Sequence, residues 1–542
     1  MQNIYHLPMK KSLIITAFIA LAFQVGKAQS VLLPYSYQLD QKFNSSIYSI
    51  NNSFHTALKP FLIDSTLSPK YNEIMSRGVD SSRKTWVARK IFNEHLFDVK
   101  TKDFTFYADF LTDLQGGRDF SGNVNTNLNT RGYQLGGTIG DKFFFYSSGF
   151  ENSGKFPTYY NDIINSINLI PGQAYDRSFG KIAKDWSYAT AIVSYTPIKQ
   201  LNIVMGTDKT FIGDGYRSLL LSDFSPNYPL LRLTANLGKV QYMIMWAYME
   251  DPKAVQYQVI GGDRSGNNRR KWGGFHYLDW NITNRLSLGY FNAVIAQEAD
   301  DVGHFHGFDA NFLDPVVYAN ALNSTSSQPD KIETGFTGKY KIFDKTALYA
   351  QLLIDRFNAG TFFSGGANNN TNGFQIGLRG ADLAGVRNFN YLVEYNTVRP
   401  YTYASAQPIA NYSNYDEPLG DPFGANFHEL LGILNYSIGR FDFMGEIDYV
   451  KYGADVGGVD YGMNIMEPYV PSSASVYTGQ GLVNRVYFGE GTVSYLINPK
   501  TNLRFEAGAL LRDDKTAAGT DQKTMWLTFG LRSTFRQIYH DL

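Results

Sequence analysis

The stretch Gly213-Asp214-Gly215-Tyr216-Arg217-Ser218-Leu219-Leu220-Leu221-Ser222-Asp223 gathers two glycines, an arginine and two aspartates in one run. Glycines let a backbone approach a partner closely, and a glycine-rich turn that opens a helix can cradle phosphate on its free N–H groups. No helix-opening pattern follows here and no strand–helix–strand unit surrounds the run, so it does not support nucleotide binding. Its apolar Leu219–Leu221 centre suits a loop packed on a barrel wall or dipping into a lumen. Tyr216, Arg217 and Asp223 are then candidate contacts, with Arg217 and Asp223 forming a buried pair or reaching a ligand. A second constellation begins Arg399-Pro400-Tyr401-Thr402-Tyr403 and ends Leu419-Gly420-Asp421-Pro422-Phe423-Gly424-Ala425-Asn426-Phe427. Tyrosine rings stack on sugar C–H groups, while guanidinium, carboxylate and amide read hydroxyls. Arg399, Tyr401, Tyr403, Asp421 and Asn426 are therefore candidate glycan or loop-plug contacts. The alternative for the same tyrosines is an aromatic collar at a membrane interface.

Other chemistry is weakly represented. Asp300, Asp301, His304 and His306 lie close in sequence, but two His one residue apart do not define the ligand set that zinc or calcium needs, and no metal is assigned. His55, His95, His276 and His428 are scattered, and their order suggests no Ser/His/acid grouping. With no cysteine, disulfides, thiolate sites and Cys nucleophiles are excluded. Neither enzyme activity nor a cofactor is expected. The 49 basic and 49 acidic residues balance, so nothing points to nucleic acid as a partner.

The elements that must position these loops are strands. Aromatics make up 15% of the 542 residues and 50 are Gly, which suits pleated strands, aromatic girdles and tight turns. A mean hydropathy of −0.26 excludes a bundle of membrane helices. Short turns recur at 140–142, 197–200, 238–239, 282–285, 343–345, 385–388, 438–440 and 498–501, each between segments of alternating polarity. Longer connections fall at 111–130, 151–186, 208–230, 250–272, 296–333, 357–372, 399–427, 452–484 and 512–523. Eight turns strictly alternating with nine loops predict an all-β, transmembrane antiparallel barrel of eighteen strands over 103–535, both ends on the short-turn side. Within single strands Phe505 and Ala507 oppose Arg504 and Glu506, while Met525, Leu527 and Phe529 oppose Thr524, Thr528 and Arg532. Charge at the lipid midplane is costly, so the charged faces are expected inside.

Before the barrel, 1–28 reads as a signal peptide: Lys10 and Lys11, the apolar run Ser12 to Phe23, then small Gly26 and Ala28 ahead of a cut. Residues 29–102 are expected to be a periplasmic or plug segment, with a helix over Ser81 to Leu96 whose stripe is Trp86, Val87, Ile91, Phe92 and Leu96. Residues 536–542 are left as a C-terminal tail.

The loop motifs above, with Glu394 to Tyr403, Leu33-Pro34-Tyr35-Ser36-Tyr37 and His55-Thr56-Ala57-Leu58-Lys59-Pro60, resemble the signature stretches of RemB-like gliding-motility proteins of Bacteroidota. Where that family carries a His this chain has Asp421, so no His-based role carries over. More remotely the chain is similar to Wzi-type capsule assembly proteins, which are eighteen-stranded outer-membrane barrels. The resemblance implies a cell outer membrane scaffold in lipid, acting in gliding motility or in assembly and attachment of surface polysaccharide, with motility or secretion machinery proteins as partners. The alternative function is a porin-like diffusion channel.

Overall fold

A computed structural model of the chain describes residues 31–178, 181–252, 268–299, 304–305, 308, 313–314, 331–360, 369–472, 475–533 and 535–542. The signal-peptide segment and Asp300, Asp301 and His306 lie outside the described residues. Eighteen antiparallel strands close into one barrel. They are β1 (Phe104–Asp119), β2 (Val124–Ile139), β3 (Phe143–Lys155), β4 (Lys184–Ile198), β5 (Leu201–Asp208) and β6 (Tyr228–Leu237). Next come β7 (Val240–Asp251), β8 (Arg269–Asn281), β9 (Leu286–Gln297), β10 (Lys331–Phe343), β11 (Thr346–Arg356) and β12 (Thr371–Gly380). The set ends with β13 (Phe389–Val398), β14 (Phe427–Ile438), β15 (Phe441–Ala454), β16 (Leu482–Asn498), β17 (Leu503–Thr516) and β18 (Gln522–Arg532).

All eight short turns fall where the sequence places them. The first and last long connections do not: only 120–123 joins β1 to β2, and 517–521 joins β17 to β18. Pairing of β1 with β2 runs unbroken from Phe104↔Ile139 to Asp119↔Val124. Thr112, Gln115, Gly116 and Gly117 read as a polar loop, yet continue the ladder. The barrel spans 104–532, within the expected 103–535.

Closure joins β18 to the upper half of β1, from Arg532↔Asp113 to Trp526↔Asp119. Below that the four-residue stretch Phe97–Lys100 takes the place of β18 beside β1. Ion pairs line the inside of the seam: Arg532 Nε lies 2.7 Å from Asp113 Oδ1, and its Nη1 lies 2.7 Å from Glu506 Oε1. Outward faces are apolar, with Phe505 and Phe529 48% and 63% exposed while Arg504 and Glu506 are buried. Paired rings near the short-turn end, such as Phe143 stacked on Tyr195 with centroids 4.3 Å apart and Phe441 edge-on to Tyr495 at 5.1 Å, form an outward aromatic girdle.

The interior is packed. From the short-turn end the segment beginning at Val31 enters with α1 (Tyr37–Asp40), α2 (Asn44–Ile47) and α3 (Ser68–Met75). The expected helix over 81–96 is shorter, α4 (Trp86–Phe92), with Thr85 as its cap, accepting from Ala88 N. Its stripe is not a core face: Trp86, Val87 and Ile91 are exposed beside the outward Phe97 and Val99. Two long loops, 209–227 and 399–426, fold inward from the other end, where α5 (Thr158–Ile167) also sits. Residues 535–542 run back up the lumen, so that Arg536 stacks on Phe150 of β3 and Asp541 meets Arg217.

The outward face predicts a depth-dependent penalty. Phe529→Arg should destabilise the folded barrel by about 2–4 kcal/mol in lipid, read as a lower urea midpoint in vesicles. An unchanged midpoint would refute the assignment of that face to lipid.

Candidate functional site

The glycine run lies flat on the barrel wall. Gly213 has φ +147°, and a Cβ there would stand 2.2 Å from Gln351 Nε2; at Gly215 it would stand 2.2 Å from Glu394 Oε2. Glycine is required because the backbone sits directly on wall side chains. Those side chains satisfy it: Glu394 accepts from Tyr216 N at 3.1 Å and Arg217 N at 3.0 Å, Gln351 Oε1 accepts from Leu219 N at 2.8 Å, and Gln375 Nε2 donates to Arg217 O at 3.0 Å. Leu219, Leu220 and Leu221 are fully buried.

The second loop clasps the first. Tyr403 OH donates to Leu219 O at 2.7 Å and Tyr412 OH to Leu220 O at 2.5 Å, the two rings stacked 5.6 Å apart. Ser222 N donates to Leu419 O at 2.7 Å. Asn426 ties strand ends together, donating to Gly453 O at 2.7 Å and Gln480 O at 2.9 Å while accepting from Gly479 N at 2.7 Å. Tyr401 is half-buried, its OH donating to Asp460 O at 2.9 Å; Arg399, also half-buried, reaches Val476 O at 3.5 Å.

Arg217 is the electrostatic centre of this interior. At 1% exposure, its Nη2 lies 2.9 Å from Glu429 Oε1 and 2.9 Å from Asp541 Oδ2, with Asp448 Oδ2 at 3.8 Å. The guanidinium also stacks over Tyr216 at 5.0 Å. Arg217 and Asp223 do not pair with each other. Asp223 instead accepts from Tyr539 OH at 2.6 Å, and burial holds its carboxyl above the usual range despite nearby Lys209. Asp421 is pushed further up, by burial and then by the charge of Glu429, and its Oδ2 has no hydrogen-bond partner. Of the eight sequence candidates, six are buried and two half-buried, so their contacts are with the protein itself.

Sequence reasoning missed the partners from the N-terminal segment. Asp214 accepts from Tyr48 OH at 2.7 Å and Thr56 Oγ1 at 2.5 Å, and Lys59 Nζ donates to Gly213 O at 2.6 Å. Phe211–Ile212 pairs with Leu58–Lys59 as a two-stranded sheet inside the barrel. Both His–Asp pairs belong to this segment: His55 Nδ1 meets Asp279 Oδ2 at 2.7 Å and His95 Nδ1 meets Asp109 Oδ2 at 2.6 Å. The available signal was the inward position of Arg379 in β12, whose Nη2 donates to Asn44 Oδ1 at 2.9 Å. Among the described residues, no cluster of three His, Asp or Glu is arranged to hold a metal ion.

Fold and interior together define a closed eighteen-strand β-barrel with a packed lumen. Its fold is similar to that of Wzi of Escherichia coli, an outer-membrane, carbohydrate-binding β-barrel involved in group 1 capsule assembly, with TM-score 0.54 and 12% identity over 93% of this chain and 99% of that one. OprD of Pseudomonas aeruginosa follows at TM-score 0.40 and 11% identity over 78% and 94%, and OccAB2 of Acinetobacter baumannii at 0.41 and 12% over 79% and 97%. No family model and no curated protein matches the chain.

Two outcomes follow for this interior. Arg217→Leu strands Glu429 and Asp541 as buried, unpaired charges and should cost about 3–5 kcal/mol, read as a lower midpoint of the heat-induced gel-mobility shift. Asp421 gives a pH slope. Its folded-state pKa is raised, so from about pH 4 upward the unfolded chain releases a proton that the folded loop keeps, and stability falls with rising pH. Asp421→Asn should flatten that fall in unfolding midpoints across pH; an unaltered slope would count against a raised carboxyl.

Proposed function

We propose that this chain is a non-enzymatic scaffold barrel of the outer membrane that helps assemble or hold cell-surface polysaccharide, on a surface that also serves gliding motility. The observation that carries this reading is the filled lumen: four inserts, from both ends, are bonded to the wall and to each other. Such an interior favours a rigid support over a porin-like conduit. The outward apolar face and aromatic girdle support placement in a membrane. Likeness to Wzi supports polysaccharide as a partner, and the RemB-like stretches support a link to motility or secretion proteins. Contact with glycan then falls to the long-loop rim, where Tyr477 is 67% exposed, and not to the inward tyrosines. Each His–Asp pair anchors the N-terminal segment to the wall, which favours a structural role for those histidines.

In planar bilayers the intact protein should give no stable conductance, and excision of 31–75 should produce discrete channels. A stable pore from the intact chain would overturn the scaffold reading. A deletion strain should lose surface polysaccharide or gliding; normal capsule and normal gliding together would sink the proposal.

A further inference from the structure

Arg232 of β6 is a sparsely partnered interior cation. It is 3% exposed, yet among the described residues it forms no ion pair. Its Nη1 donates to Thr210 Oγ1 at 2.9 Å, and its Nε has no partner. The charge of Asp208 reaches it, but that carboxylate lies beyond ion-pair distance. Burying a cation without a counter-charge is costly, and buried charges are ordinarily paired. By contrast Arg217 and Arg532 each hold at least two carboxylates.

Arg232 lines a cavity of about 320 Å³ between the wall and the N-terminal segment. Lys199, in the β4–β5 turn, and Gly238, in the β6–β7 turn, place its mouth at the short-turn end. Lys199 is exposed there, so one cation stands at the mouth and another in the wall above it. Between them the wall offers Asn202, Thr234, Asn236 and Gln241. Gln241 donates to Asn236 Oδ1 at 2.7 Å, and its own buried Oε1 is left without a partner. Opposite lie Asn52, Ser53, Ser65 and Thr66. Asp64 is the carboxylate of the lining, and its Oδ1 is engaged with Thr66 N at 2.8 Å and Leu67 N at 3.3 Å. His55 is engaged with Asp279.

Two cations with no carboxylate in ion-pair contact favour an anion, and amides with hydroxyls, which both donate and accept, suit a polyol. The volume is at the small end of ligand pockets, which begin at roughly 300 Å³. We propose that this cavity binds a hydroxylated oxyanion of single-ring size, a sugar bearing a carboxylate or a phosphate. Its charge lies between Arg232 and Lys199, and its hydroxyls meet Asn202, Asn236, Gln241 and Thr234. The site is at the opposite end from the long-loop rim and does not depend on the scaffold reading.

Titration calorimetry on the full chain in detergent tests this with glucuronate, glucose 6-phosphate, inorganic phosphate and glucose. At least one acidic sugar should bind, glucose should bind roughly tenfold more weakly or not at all, and Arg232→Gln should lower affinity roughly tenfold or more. Arg232→Lys should retain most of the affinity. Which acidic sugar binds separates carboxylate from phosphate. Lys199→Gln, at an exposed turn, should weaken binding several-fold without touching the fold, so the test survives if Arg232→Gln fails to assemble. The proposal is overturned if neither acidic sugar binds, if glucose binds equally well, or if both variants keep full affinity. Phosphate binding as tightly as glucose 6-phosphate would overturn the sugar component.

Discussion

Irregular backbone inside a barrel has neither a ladder nor bulk water to satisfy its N–H and C=O groups, so the wall must do it. That requirement organises this interior. Gln351, Gln375 and Glu394 serve loop 209–227. Lys271 reaches Asn411 O at 3.0 Å and Ser413 Oγ at 3.0 Å in loop 399–426. Lys341 reaches Ser49 O at 2.8 Å and Asn52 O at 2.5 Å in the N-terminal segment. A polar inward row is also what a water-filled channel needs, so alternation alone does not separate the two designs. The partners do: these side chains end on atoms of the inserts, most of them main-chain.

Lysine and arginine divide this work by geometry. Lys59, Lys209, Lys271 and Lys341 are compact point charges whose Nζ fits among carbonyls. Arg217 and Arg532 present forked donors that span two carboxylates from different elements. Arginines therefore sit where chain segments must be clamped: Arg532 at the closure seam, and Arg217 where loop, wall and tail meet. Buried pairs of this kind add little net stability over apolar packing, but they penalise every arrangement that separates them.

Legibility in the sequence followed contact range. All eight turns were readable because a turn depends on a few adjacent residues, and the two strand faces were readable because the period of two is local. The tall upper parts of β1 and β2 were not, because Gly116, Gly117 and Asn127 resemble loop residues and only their pairing makes them strand. Loop 209–227 could be read as a run that packs on something. What it packs on depends on Glu394 and Gln351, which are 177 and 132 residues away from the groups they hold. The stripe of α4 was visible too, but a stripe does not say whether it faces a core or an outer surface, and here it faces outward.

Loop 209–227 touches every other insert, and this gives the interior its unity. Below, Gly213 N donates to Ala57 O at 2.8 Å and Asp214 binds Tyr48 and Thr56. Above, Leu219 and Leu220 are held by Tyr403 and Tyr412, and to the side Arg217 and Asp223 hold Asp541 and Tyr539. The N-terminal segment, the outer loop and the tail thus each close on the same short stretch, residues 213–223, in addition to the wall. Glycine at 213 and 215 is what lets that backbone lie close enough to Gln351 and Glu394 for all these bonds to form at once. A side chain at either position would lift the loop from the wall and loosen the other three inserts with it.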